Sequence, residues 1–337
     1  MLMTVKLILA FILAFAVSSV FGNFYVPWLK KVKVEQEIKE NGPTWHISKS
    51  GTPTMGGVMF ILAAFVACIT VGFDSMREGK YVHLFVFVFA LAFGAIGFLD
   101  DWEKIKHKAN LGLHANTKFL LQLAAAIVFV LIMRRTGYLR TDLYIPFFNK
   151  VVYIPDWAYM LLSAFIIVGT VNSVNITDGV DGLASGTSIP VFLFFVTLAY
   201  RWGARYLELG IFASAMIGGL LGFLIYNYNP AKVFMGDTGS LFLGGAIAAL
   251  AFSYDMPLVL ITLGIMFIIE TLSDIIQVAY YKLSHGKRVF KMAPFHHHLE
   301  MGGWTGRKWK EKELFLLFTG ISLLFAIISF IGVYNRY

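Results

Sequence analysis

Charge and cysteine are both scarce. Only 14% of the 337 residues are Asp, Glu, Lys or Arg, against about 25% in a typical soluble protein. The single cysteine, Cys68, rules out an intramolecular disulfide. Its place within MFILAAFVACITV makes it a small apolar packing residue. Nucleic-acid motifs, low-complexity tracts, fixed-period repeats and a G-x-x-x-x-G-K-[ST] phosphate loop are missing too. What fills the chain is apolar: 58% of residues are hydrophobic, Phe alone occurs 32 times, and the mean hydropathy is +0.71. Such a composition belongs in a bilayer. The sequence reads as an all-α polytopic membrane protein forming one transmembrane domain over residues 1–337.

A helix needs about 20 mostly apolar residues to cross the hydrocarbon core. On that measure the predicted spans are 4–29, 54–72, 82–99, 117–133, 158–177, 187–202, 207–226, 238–252, 257–282 and 312–334, about ten transmembrane helices. The sixth and eighth are short, and the ninth is long enough to bend or to leave the bilayer. The first has the outline of a signal peptide up to Ser18 and Ser19. Cleavage there would leave the basic LKKVKVEQEIKE outside the cell, so it reads as a retained span. Ten crossings place both termini on one side. One set of alternating loops, with its flanks, carries 18 Lys and Arg and the other carries 10. The richer set is cytoplasmic, and both termini are outside. The net charge of +8 then serves orientation and contact with anionic head groups or an anionic substrate. On the outer side, LYIPFFNKVVYIP (143–155) predicts a small surface hairpin around Asn149 and Lys150.

Four polar breaks interrupt the apolar runs: FLDDWEKIKHK (98–108), NITDGVDGLASG (175–186), KVFMGDTGS (232–240) and MAPFHHHLEMGGW (292–304). All fall in the cytoplasmic set, so they can converge on one face. They bring Asp100, Asp101, Asp178, Asp181 and Asp237. Any one of these could merely end a helix; Asp237 before TGSLFLGG would make a reasonable N-cap. Five on one face, beside glycines that let backbone approach a ligand, point to hard oxygen ligands for Mg²⁺. Lys104 and Lys108 lie one and two turns beyond Asp100 if the helix continues, and Lys49 and Lys118 border neighbouring cytoplasmic segments. Carboxylates with lysines suit phosphoryl transfer, where positioning and charge neutralisation supply most of the catalysis. His296, His297 and His298 lack the spacing of a helical zinc pair and fit polar contacts to a phosphate, sugar or nucleotide. Glu270 and Asp274, four apart in the ninth span, are either paired inside the bundle or mark an ion path. The ion-path reading leaves a membrane transporter as the rival from another class.

GTPTMGG (51–57), DDWEKIKHKANLGL (100–113), NSVNITDGVDGLASG (172–186), KVFMGDTGSLFLGG (232–245) and APFHHHLEMGGW (293–304) together resemble a known set of motifs. These are the motifs of the bacterial phospho-N-acetylmuramoyl-pentapeptide-transferases, in the polyprenyl-phosphate N-acetylhexosamine-1-phosphate transferase superfamily. The Asp-Asp and N-x-x-D-G patterns mark the superfamily; PFHHHLE and GTPTMGG mark the muramoyl-pentapeptide branch. The resemblance implies an active site in the cytoplasmic loops of a bacterial inner-membrane protein. There the phosphate of undecaprenyl phosphate attacks the sugar-bearing phosphorus of UDP-N-acetylmuramoyl-pentapeptide, giving lipid I and UMP. It implies Asp237 as the Mg²⁺ ligand and Asp100 and Asp101 as the essential pair, with Asp100 the base for the lipid phosphate. Lys104, Lys108 and Lys118 would hold phosphates. Asp178, Asp181, Asn227, Phe234 and Lys49 would form the uridine pocket, Phe234 stacking on uracil. Thr54, Asn172 and Asn175 would join the substrate-binding set, and His296, His297 and His298 would line the sugar-phosphate side. The partners implied are the two substrates, the lipid bilayer and a second copy in a homodimer, with no nucleic acid. The nearest alternative is a sister UDP-N-acetylglucosamine:undecaprenyl-phosphate phosphotransferase.

Overall fold

Runs of Leu, Ile, Val, Phe and Ala that are apolar all round give helices suited to lipid or to the middle of a bundle. The computed structural model describes residues 2–32, 34, 49, 51–107, 112–137, 139 and 142–336, and most of them are helical. The first half comprises α1 (Leu2–Lys31), α2 (Val58–Val71), α3 (Phe73–Arg77), α4 (Val82–His107) and α5 (Ala115–Arg135). A hairpin follows, β1 (Asp142–Ile145) with β2 (Lys150–Tyr153). The second half comprises α6 (Asp156–Thr177), α7 (Leu183–Trp202), α8 (Leu207–Asn227), α9 (Gly236–Ser253), α10 (Leu260–Leu263), α11 (Ile265–Leu283), α12 (Phe295–Glu300) and α13 (Glu311–Val333).

Seven helices among the described residues are long and apolar enough to cross a membrane, and a bent pair makes an eighth. This is a polytopic helical membrane protein. The remaining expected spans differ from a simple crossing in instructive ways. The second is cut to the 14 residues of α2, because residues 51–57 leave the helix to form a loop. The expected ninth span is broken at Gly264, where the segment containing α10 meets α11 at 80°. The sixth is longer than expected, since α7 begins at Leu183 rather than 187. α9 is not apolar throughout, but it is enclosed by other helices along most of its length. Its many Gly, Ala and Ser residues allow those neighbours to approach closely.

α4 and α6 pack on α9, and α1 lies along α8. α1 buries a stripe of small and apolar residues, Leu7, Ala10, Ala14 and Ser18. Gly218 of α8 shows how tight this seam is: a Cβ there would overlap the Phe11 carbonyl of α1. The hairpin expected around Asn149 and Lys150 forms but turns earlier. Ile145 pairs with Lys150, so Lys150 belongs to β2 and the turn is residues 146–149. Phe147 and Asn149 take positive φ values of 69° and 47° there, a conformation that Asn tolerates better than most residues.

The four polar breaks meet at one end of the bundle. That end gathers the C-terminal ends of α4, α6 and α8 with the N-terminal ends of α2, α5, α7, α9 and α13. The opposite end is fastened separately by ion pairs of Lys6 with Asp74, Arg134 with Asp156, and Arg336 with Asp255.

Candidate active site

α4 continues as a helix past the expected span to His107. Asp100, Asp101 and Lys104 are thereby held on a rigid rod, and Asp100 and Asp101 are each only 3% exposed. Opposite them stands Asp237, in the first turn of α9. Carboxylate oxygens of Asp100, Asp101 and Asp237 lie within 4.8 Å of one another. Three like charges at such range repel strongly unless cations offset them. Two lysines do so. Lys104 Nζ is 2.6 Å from Asp100 Oδ2, 3.0 Å from Asp237 Oδ2 and 3.9 Å from Asp101 Oδ1. Lys118 Nζ, from α5, is 2.6 Å from Asp237 Oδ2 and 3.7 Å from Asp100 Oδ1.

The three aspartates are not equivalent. Asp101 accepts hydrogen bonds from the backbone N–H groups of Asp237 (3.1 Å) and Thr238 (2.9 Å) and from the Thr238 hydroxyl (2.7 Å). It therefore satisfies the open N–H groups that begin α9. Asp237 is not the N-cap that the sequence suggested; its own side chain faces the cluster, where the Asn175 amide donates to Oδ1 at 2.9 Å. The same amide donates to Ser240 Oγ at 2.7 Å. The close approach of α4 to α9 depends on Gly97, where a Cβ would overlap the Asp237 carbonyl.

Around this core the loops are tied by their own backbone. Gly56 N–H donates to the Phe234 carbonyl at 2.8 Å, and Phe234 N–H to the Pro53 carbonyl at 2.8 Å. The Phe234 ring is half-buried. The Thr54 hydroxyl is buried without a hydrogen-bond partner among the described residues. Asp181 is a knot: it takes Lys49 Nζ at 2.6 Å, the Asn229 amide at 3.0 Å and Ala231 N–H at 2.9 Å. Glu311 at the start of α13 also holds Lys49 (2.6 Å) and the Asp181 N–H (3.1 Å). Asn227 spans the Gly182 N–H (3.1 Å) and the Val233 carbonyl (2.9 Å). Asp178, by contrast, is half-buried, and its carboxylate makes no hydrogen bond among the described residues. Burial raises its pKa well above the usual carboxylate range, and Asp237, Asp101 and Asp181 push the same way against Lys49.

The histidines turn in three directions. His296 Nδ1 lies 2.9 Å from Glu270 Oε2, and its backbone N–H donates to Glu270 Oε1 at 3.2 Å. Its Nε2 is buried beside Gly179, without a hydrogen-bond partner among the described residues. Burial alone would lower the His296 pKa, but the facing Glu270 carboxylate raises it above the ordinary imidazole value. His297 Nδ1 lies 2.7 Å from Glu300 Oε2. His298 Nδ1 accepts from Lys291 N–H at 3.1 Å, and burial followed by Lys291 lowers its pKa. Asn172 lies one turn inward from Asn175 and donates to Gln122 of α5 at 2.6 Å, away from the carboxylates. Lys108 lies outside the described residues. Glu311 and Asn229 were not singled out from the sequence. Glu311, acidic in the first turn of a helix that follows a basic loop, was the one with a readable signal.

A set of carboxylates with two partly buried lysines can hold a divalent cation and a polyphosphate together. The hard oxygens of Asp100 and Asp237 fit Mg²⁺, whereas both oxygens of Asp101 are engaged by α9. The glycosyl transferase family 4 model matches residues 83–255, and the phospho-N-acetylmuramoyl-pentapeptide-transferase signature 1 matches residues 49–61. Proteins named phospho-N-acetylmuramoyl-pentapeptide-transferase align over nearly the whole chain. That of Listeria monocytogenes serotype 4b is 44% identical over 323 residues, covering 96% of this chain and 97% of its own. That of Caldanaerobacter subterraneus is 43% identical over 325 residues, covering 96% and 98%. The chain belongs to the phospho-N-acetylmuramoyl-pentapeptide-transferase family. It is a multi-pass protein of the bacterial inner membrane. The signature of this family falls on the loop around Thr54 that is tied to Phe234, and the broader match covers Asp100, Asp101, Lys104, Lys118 and Asp237. The histidine triplet lies beyond both matches.

Proposed function

We propose that the site at the convergent end of the bundle transfers phospho-N-acetylmuramoyl-pentapeptide from its UDP-linked precursor to undecaprenyl phosphate, releasing UMP and forming lipid I for peptidoglycan. The observation that carries this assignment is the meeting of Asp100 and Asp237 with Lys104 and Lys118 at the ends of three helices, α4, α5 and α9. In the reaction an oxygen of the lipid phosphate forms a bond to the sugar-bearing phosphorus, and the bond from that phosphorus to the UMP oxygen breaks. Asp100 accepts the proton of the lipid phosphate when that group arrives protonated. Lys104 and Lys118 hold phosphate oxygens as charge shifts toward UMP. Asp101 acts at one remove, by fixing α9 and hence Asp237. Asp237, with Asp100 beside it, would hold Mg²⁺. When bound, that ion neutralises charge on the diphosphate.

The half-buried Phe234 ring offers a stacking face for the uridine, and Asp178 an acceptor. Lys49, Asp181 and Asn227 shape that pocket by tying its loops, and His296 presents Nε2 from below the Asp178–Gly179 turn. The apolar runs support ten crossings and the charge of the loops supports both termini outside, which would put the site on the cytoplasmic face. One catalytic domain and a homodimer complete the proposal. The ion-path reading loses ground because Glu270 is engaged by α12. The test is UMP release by the purified chain in detergent with undecaprenyl phosphate and Mg²⁺, comparing UDP-N-acetylmuramoyl-pentapeptide with UDP-N-acetylglucosamine. Release with the first alone supports the assignment. Release with the second moves the protein to the sister reaction, and release with neither refutes both.

A further inference from the structure

The end of the bundle away from the aspartates contains a cavity of about 690 Å³, within the range of small-ligand pockets. Six charged side chains line it: Lys80, Arg205 and Arg336 against Asp142, Glu208 and Asp255. The lining is therefore neutral in sum, which suits neither a bare cation nor a bare anion. Three of these charges are paired. Arg336 is held by Asp255 at 3.0 Å and lies 4.2 Å over the Tyr144 ring, and Lys80 meets Glu78 at the rim at 2.7 Å.

Glu208 is different. It sits in the first turn of α8, is 3% exposed, and has no hydrogen-bond or ion-pair partner among the described residues. The Ser253 hydroxyl lining the same cavity is also buried without a hydrogen-bond partner among the described residues. A buried carboxylate is costly without a cation in contact with it; Lys80 acts on Glu208 only from beyond ion-pair distance, and the α8 N-terminus, though favourable to its charge, supplies no counter-ion. Among the described residues no three metal-donor side chains converge here, so a compact metal ion is a poor fit. An ammonium is a better one: Tyr206 and Tyr254, stacked at 5.1 Å, also line the cavity and add aromatic surface that favours an organic cation. Arg205, exposed at the mouth, and Lys80 can meet an anion.

We propose that this cavity binds a zwitterion carrying an ammonium and a phosphate, with the ammonium on Glu208 and the phosphate between Lys80 and Arg205. Phosphoethanolamine is the simplest such group, whether free or as the head group of a bilayer lipid. The site is separate from the carboxylate cluster and does not depend on the reaction assigned there.

The experiment follows thermal unfolding of the full chain in detergent during titration with O-phosphoethanolamine, with ethanolamine and inorganic phosphate as separate controls. A parallel arm compares nanodiscs of phosphatidylglycerol with and without phosphatidylethanolamine. The proposal expects a saturable rise in midpoint with the zwitterion that neither half reproduces. A rise in both arms indicates a site open to the free molecule; a rise only in nanodiscs indicates the lipid as source. Glu208→Gln, which keeps the side chain's size, should weaken the apparent affinity by roughly tenfold or more. Arg205→Gln, at the exposed mouth, should weaken it too. No saturable rise in either arm, an equal rise with ethanolamine alone, or unchanged affinity in both variants would overturn it.

Discussion

Asp101 caps the helix that carries Asp237. Its carboxylate receives the Asp237 and Thr238 backbone N–H groups and the Thr238 hydroxyl, while the adjacent Asp100 faces the lysines. Two neighbouring aspartates thus have separable tasks. Asp101→Asn places an NH₂ group against backbone donors. It should cost about 1–3 kcal/mol of stability as well as activity. Asp100→Asn leaves the cap intact and should lower kcat by about 100-fold or more with little change in unfolding midpoint. Thermal unfolding measured beside UMP release distinguishes the two; equal destabilisation by both variants would contradict the division of labour.

Asp178 should make stability fall with rising pH. Its folded pKa is raised by burial and by Asp237, Asp101 and Asp181, so the protein accommodates the protonated carboxyl better than the carboxylate. That penalty is absent below the ordinary carboxylate range and grows as pH climbs through the raised value. Asp178→Asn, a mimic of the neutral form, should match wild type in acid and unfold at higher temperature near neutrality. A midpoint difference that does not vary with pH would count against it.

The Glu270–His296 pair should act with the opposite sense. A histidine whose folded pKa is raised stabilises the fold most below its unfolded pKa, and that contribution is lost as pH rises through the folded value. Glu270→Gln removes the charge that raises it. The variant should therefore be least stable relative to wild type in mild acid, with the gap narrowing toward alkaline pH. A gap that widens with pH would show that His296 is neutral throughout.

Much of this arrangement was legible in the residues, and the reason is local. Hydropathy located the long helices, and the i, i+4 spacing of Asp100 and Lys104 placed both on one face once α4 continued. Charge in the loops was enough to bring four breaks to one end. What escaped depended on partners far apart in sequence. The cap that Asp101 provides joins residues 136 or more positions apart, and Glu270 meets His296 across 26. Neither pairing leaves a periodic trace. Asp181 and Asn227 read as ligand-facing polar residues, yet their side chains fasten loops; the difference lies in backbone donors and acceptors that composition does not reveal. The hairpin's turn was misplaced because Lys150 looks like a turn residue but pairs with Ile145.

The central claim is that Asp237, set opposite Asp100 and between two lysines, is the working carboxylate of the transfer. The most direct measurement is UMP release by Asp237→Asn and wild type across a Mg²⁺ titration, with unfolding midpoints taken on the same preparations. The account predicts a folded variant whose turnover falls by about 1,000-fold or more and is not restored at high Mg²⁺. Near-normal turnover of the variant at ordinary Mg²⁺ would contradict it and place the chemistry elsewhere.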